Sequence, residues 1–179
     1  MEQGKRIAVD LVQQSDHPDV ADTFARLKAK PIGIVNIHRT LANSPAVFDR
    51  FIALAHALRF ETELDPGERE LAILCVLERH QGDYELDKHR MIARAAGVSE
   101  AKIAHVRAPD AQPSLFSDRE RAILTFAEQF AADPGERPAH VETAIEAHLD
   151  NRQRIELGLT LALYLGLAHF TALLDVPED

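Results

Sequence analysis

The stretch Leu64–Ile103, LDPGERELAILCVLERHQGDYELDKHRMIARAAGVSEAKI, decides how this chain folds. Asp65 before Pro66, with Glu68 three positions on, is a helix start: the aspartate can accept from first-turn N–H groups, and proline presets φ where no donor is needed. The unbroken apolar run Leu71–Leu77 has no solvent face, so this helix is predicted to be central. His80-Gln81-Gly82 reads as a tight connection. A second helix restarts near Asp83 and runs to Ala96, where Gly97 can take the left-handed conformation that closes it. Ser99 then caps a short segment.

Working outward, the same signals recur and sustained period-two alternation does not, so the class is all-α. Upstream, His17-Pro18 opens a helix that Pro31 stops near Lys30. Gly33–Leu41 reads as a short one. Ser44-Pro45 starts a helix to about Phe60, with Val47, Phe48, Phe51, Ile52, Leu54, Ala55 and Leu58 as its apolar face. Downstream, Ser117 with Glu120 is a capping box, and Asp133-Pro134-Gly135 ends the helix that follows. Two more helices are predicted, about Pro138–Leu149 and Asn151–Leu174, with Asp150 and Gln153 capping the last. Glu68–Leu74 resembles Asp118–Leu124, and Asp-Pro-Gly-Glu occurs twice, but these are generic helix-start features and chance explains them as well as duplication.

The chain has 179 residues, enough for a single domain (1–179) that buries about 70% of its unfolded surface. Hydrophobic residues make up 46% and charged residues 27%, a globular balance. The net charge of -9 and the scattering of Arg39, Arg50, Arg59, Arg69 and Arg79 leave no basic stripe, so a nucleic-acid partner is not expected. Cys75 stands alone, so no internal disulfide can form. With no targeting segment visible in Met1–Asp16, a cytoplasmic location is expected. Leu157–Leu174 is free of Asp, Glu, Lys and Arg, but Gly158, Thr160, Tyr164, Gly166, His169 and Thr171 make it a poor membrane span. A helix buried on all sides in a soluble assembly fits better, and no membrane partner is expected.

Glu85 and His89 are four apart on one predicted helix and share a face. Glu70 lies on the preceding helix, which a tight connection packs antiparallel. Two carboxylates and an imidazole from adjoining helices can form a proton-relay site, with His89 as acid or base, Glu85 its charge partner and Glu70 the orienting group. Tyr84 is placed to donate a hydrogen bond into it, and Arg39 and His80 are further candidates for binding substrate. The solvated-face reading of a Glu-His pair stands beside this one. Glu70, His80, Glu85 and His89 also offer metal donors, but nothing fixes His80 on the same side, and neither a metal nor another cofactor is expected. His38 and His169 read as satisfied core histidines.

The Leu64–Ile103 stretch, with HRTLANSPAVFDRFIALAHAL upstream (His38–Leu58), resembles the core motif of the carboxymuconolactone decarboxylase / AhpD-like family: an Arg-Glu-Leu helix start, a turn, a helix with a motif histidine, then an Ala-Gly-Val-Ser step. The motif region is about 65–107. The resemblance implies an AhpD-like helical bundle that forms trimers or hexamers. It places the family's glutamate on Glu70 and its histidine on His89, and it puts the cysteine pair of thiol-active relatives on Gly82 and Glu85. The dithiol cycle of those relatives therefore has no sulfur here. Cys75, among Ile73, Leu74, Val76 and Leu77, reads as packed and inert, and a peroxidase-related role through it is disfavoured.

Decarboxylation, the other implied activity, needs a cation or donor for the developing enolate and an acid to protonate carbon. His89 can be that acid. Glu70 and Glu85 would repel an anionic lactone unless one is protonated or Arg39 or Arg90 turns inward. The expected activity is therefore that of a cofactor-independent, decarboxylase-like lyase or a binder acting on a neutral or weakly charged small molecule. The alternative is a non-catalytic oligomeric helical module in which the trio is structural. A homo-oligomer is expected in either case, because the last helix is apolar around its circumference.

Overall fold

The computed structural model describes residues 7, 9–30, 32–80, 82–132 and 138–179. The predicted stops at Pro31 and at Asp133-Pro134-Gly135, Gln81 of the tight connection and the second Asp-Pro-Gly-Glu lie outside the described residues. Among the described residues there are helices and no strands: α1 (Pro18–Lys28), α2 (Asn36–Leu41), α3 (Pro45–Phe60), α4 (Pro66–Arg79), α5 (Asp83–Ala95), α6 (Glu100–Ile103), α7 (Asp118–Ala132), α8 (Ala139–His148) and α9 (Asn151–Leu173). Two 3-10 turns, Pro109–Ala111 and Pro113–Leu115, join α6 to α7, and no sequence signal had marked them.

The caps at Asp65, Ser117 and Asp150 act as the sequence predicts, and the N-cap read at Ser44 does not form. Asp65 Oδ1 accepts from Gly67 N at 2.8 Å and from Glu68 N at 3.1 Å. Ser117 and Glu120 bond reciprocally, at 3.1 Å from Glu120 N to Ser117 Oγ and 2.8 Å from Ser117 N to Glu120 Oε2. Asp150 and Gln153 repeat the arrangement at α9, at 2.8 and 3.3 Å. Gly97 follows α5 with φ +87°, a conformation that a side chain would strain. Ser44 precedes α3 without a side-chain cap.

The chain forms two compact units, residues 1–61 with 170–179, and residues 62–169. In the first, Val20, Phe24, Ala42 and Phe48 make a small core in which the Phe24 and Phe48 rings meet edge to face, 5.6 Å between centroids. The chain end returns to α2, where Asn36 Nδ2 donates to the carbonyls of Pro177 and Glu178 at 3.2 and 3.0 Å. The apolar face of α3 is narrower than its sequence implied, with Phe48 and Leu58 buried but Val47 and Leu54 exposed.

The second unit is built around α4, every residue of which from Arg69 to Leu77 is buried. Helices α5 and α7 pack on it. Leu71, Leu74, Cys75, Ile123, Leu124, Leu157 and Leu161 share its main core. Arg119 of α7 grips both oxygens of Glu68 at 2.9 and 3.0 Å and also bonds the His148 carbonyl. The last helix is long and apolar enough to cross a bilayer by length and composition, and 28% of its most apolar window is buried within the single chain. Leu157, Thr160, Leu161 and Ala168 form the inner stripe, while Ile155 and Leu159 are exposed.

A candidate acid-base site between two helices

The first turns of α4 carry Glu70 inward, and the second turn of α5 carries His89 against it. Glu70 is 1% exposed and His89 3%. Their side chains bond at 2.7 Å, from His89 Nδ1 to Glu70 Oε2. A carboxylate can only accept, so the proton of this bond sits on Nδ1, the tautomer is fixed, and Nε2 of a neutral ring carries the free lone pair. That nitrogen lies 3.9 Å from Oε2 of Glu85, one turn earlier on α5. The gap is too wide for a direct hydrogen bond and wide enough for an intervening atom to matter.

The structure thus brings Glu70, Glu85 and His89 together, and it adds residues that the sequence had not singled out. Arg69 is buried, with Nε 3.5 Å from Glu70 Oε1: close enough for charge attraction, yet neither atom has a hydrogen-bond partner. Arg39 and Arg90 were the cations that could relieve the repulsion of an anionic lactone by turning inward. Arg90 instead bonds Glu78 and Asp87, each at 3.1 Å, and Arg39 belongs to the other unit, where it donates to Gln13 at 2.8 Å. Tyr164 of α9 sets its ring edge to face against His89, 4.6 Å between centroids.

The remaining candidates have contacts of their own. The His80 ring is bonded at both nitrogens, Nε2 to the Ala131 carbonyl at 2.8 Å and Nδ1 to His169 Nε2 at 3.2 Å, so the metal set that needed it beside the trio is not assembled. The Ala131 bond makes Nε2 the donor, so His169 Nε2 donates to Nδ1. His169 is exposed, contrary to the core position expected of it. His38 is partly buried and accepts from Val35 N at 3.3 Å. Tyr84 is buried with Lys88 Nζ over its ring at 3.8 Å, a cation-π contact. A surface depression lined by Asp19, Asp22, Ala25, Arg26 and Asp49 lies in the first unit and shares no residue with the trio.

The sulfur positions are closed in two ways. A Cβ built on Gly82 would sit 2.7 Å from Leu77 Cδ2 and 3.1 Å from Ala168 Cβ, so side chains from α4 and α9 fill the space a cysteine would need. Cys75 is fully buried, with Sγ 3.5 Å from Glu128 Oε2. Burial first, and then the Glu128 charge, push its thiol far above the ordinary value. Burial works against the charge of Glu128 too, but Arg107 and Arg79 outweigh it and hold that carboxyl below its usual value.

Residues 45–129, a little under half of the chain, match the Carboxymuconolactone decarboxylase family, which this region resembles. The fold is the AhpD-like helical one. The Uncharacterized protein YnjA of Escherichia coli is 29% identical over 122 residues, a match that covers 68% of this chain and 66% of that one. This chain therefore spans a little under two thirds of that relative's length. An uncharacterized peroxidase-related protein from Silicibacter sp. TM1040 superposes with a TM-score of 0.82 at 17% identity, covering 100% of this chain and 95% of the other. The debrominase Bmp8, a cysteine-to-alanine variant of which was solved with 2,3,4-tribromopyrrole, superposes with a TM-score of 0.80 at 17% identity over 96% of this chain and 91% of the other.

Proposed function

We propose that the chain binds a small, neutral or weakly charged organic molecule and moves a proton on it, with His89 as the acid or base and no thiol in the reaction. The supporting observation is the buried 2.7 Å bond that fixes His89 through Nδ1 and leaves Nε2 to face Glu85 across 3.9 Å. Glu70 orients the ring. Glu85 is the charge partner for the imidazolium that forms, and the reacting atom sits in the gap. Two carboxylates, Glu70 and Glu85, flank the ring, which disfavours a carboxylate substrate. The small aromatic bound by Bmp8 is compatible in kind. The reaction class is cofactor-independent proton transfer, as in a decarboxylase-like lyase.

Diethyl pyrocarbonate, which acylates imidazole nitrogen, tests access to the site. Peptide mass mapping is expected to find His89 modified in the folded protein. Protection of His89 while the more exposed His56 reacts fully would overturn the proposal. It would favour a second reading, supported by the near-complete burial of the trio: a non-catalytic module in which the network is structural. With a substrate in hand, His89→Gln is expected to abolish turnover with helix content unchanged.

Self-association belongs to the same proposal. Ile155, Leu159, Ala162 and Gly166 form an exposed stripe of coiled-coil spacing on α9. A Cβ at Gly158 or Gly166 would meet nothing, so the chain's own packing does not require these glycines, each of which costs a helix roughly 0.5–1 kcal/mol against alanine. Close approach of a second copy accounts for them. Light scattering at micromolar concentration is expected to give an oligomer, and a monomer would refute this part.

A further inference from the structure

Three buried side-chain atoms among the described residues have no hydrogen-bond partner: Arg69 Nε, Glu70 Oε1 and Thr160 Oγ1. Orphans of this kind are rare in native proteins and call for a physical explanation. The first two are 3.5 Å apart. The third is on α9, one turn before Tyr164. Leu77 and Ala168 both lie against Gly82, and Tyr164 packs on the cluster that Ile73, Leu77 and Ala168 form. Glu156, also on α9, accepts from Glu63 N at 2.9 Å. His89 links the two helices, touching Tyr164 of α9 and bonding Glu70 of α4, and Thr160 lies one turn from Tyr164 on the same face.

We infer that Arg69, Glu70 and Thr160 together hold one neutral hydroxyl-type oxygen, from water or from a hydroxyl-bearing ligand, at the Glu70 oxygen that His89 does not use. The donor set selects this chemistry. Arg69 Nε–H only donates, Glu70 Oε1 as carboxylate only accepts, and the Thr160 hydroxyl does both. The guanidinium repels a metal ion and the carboxylate repels an anion, while an apolar group would leave all three unsatisfied. An oxygen that both donates and accepts satisfies them at once, and the 3.5 Å between Arg69 and Glu70 is the base of a triangle whose other sides are ordinary hydrogen bonds of about 2.9 Å. The inference rests on the proposed acid-base reading only for its consequence: the bound hydroxyl would complete the carboxylate that orients His89, and a substrate hydroxyl would be recognised there.

The sign of a stability change tests it. A hydroxyl that is a true orphan is better replaced by a methyl, so Thr160→Val would then raise or leave unchanged the melting temperature; if the hydroxyl holds an oxygen, the same variant lowers it and Thr160→Ser largely restores it. A fall with rescue is expected, and a rise or no change would overturn the inference. High-resolution crystal structures grown with and without phenol separate the sources. A lone oxygen peak within hydrogen-bond distance of all three atoms in both crystals means water, and ring density replacing it in the phenol crystal means a ligand hydroxyl. An empty site in both, or the three side chains turned to other partners, overturns the inference. Protection of His89 from diethyl pyrocarbonate with a destabilised Thr160→Val would sink the acid-base reading and leave this one standing.

Discussion

Glu70 and Glu128 are both drawn against α4, from within it and from α7, and they end in different chemical states. Glu128 is enclosed by permanent cations: Arg79 pairs with it, Arg107 Nη2 bonds it at 3.1 Å, and the Cys75 thiol approaches at 3.5 Å. Glu70 is bonded to an imidazole, has its arginine beyond hydrogen-bond geometry and keeps an unpaired oxygen. Arginine does not titrate in proteins, so the Glu128 cluster holds a fixed charge and an inert thiol. The imidazole that bonds Glu70 turns its second nitrogen toward Glu85 rather than closing on a permanent cation. One helix thus supports a polar cluster closed by arginines and one that keeps an unpaired oxygen, and the difference lies in the partner rather than in the glutamate.

The largest effect that would sharpen this contrast is Glu70→Ala. It strands Arg69 and the His89 Nδ1–H in the core and is expected to cost about 3–5 kcal/mol, read as a lowered urea midpoint. A loss no greater than that of a surface substitution would show that the cluster is not coupled. Next comes Gly82→Cys, which restores one cysteine of the thiol-active pattern. Its Cβ must displace Leu77 and Ala168, and roughly 1–3 kcal/mol of destabilisation is expected in thermal melts; a variant as stable as the parent would mean that the core yields at no cost.

Cys75 is expected to resist Ellman's reagent in the folded protein and to react on unfolding; rapid labelling at neutral pH would break the inert half of the comparison. Its raised value also has a pH signature. The unfolded thiol ionises near 9.0 and the folded one does not, so its contribution is whole below that pH and is lost as pH rises above it. Cys75→Ser should flatten that alkaline slope. The smallest effect is Glu128→Gln, at most about 1 kcal/mol for a partly exposed cluster. Because its carboxyl is held low, the stability it confers is present above 4.5 and lost as pH falls below, so the variant should lose part of the acid-side slope measured by chemical unfolding.

Much of the site was legible because it follows from helix periodicity. Glu85 and His89 share a face whatever surrounds them, and Glu70 follows once α4 and α5 are read as neighbours. Arg69 was not legible: it has the same neighbours in sequence as any first-turn arginine, and only burial of the whole of α4 turns it inward. Tyr164 and Thr160 were missed for a related reason. α9 is apolar nearly all round, so its sequence gives no phase, and the face that reaches His89 cannot be picked out. The same lack of phase hides from the sequence which part of the helix one chain covers by itself.

The amino-acid order by itself determined the class, the helix starts at Asp65, Ser99, Ser117 and Asp150, the closing turn at Gly97 and the absence of paired sulfur, because each depends on neighbours a few residues away. The tertiary structure alone decided which arginine enters the core, which face of α9 meets α4 and which glutamate keeps an unpaired oxygen. Those outcomes depend on the register between helices far apart in the chain, and that register is set by packing the whole core at once.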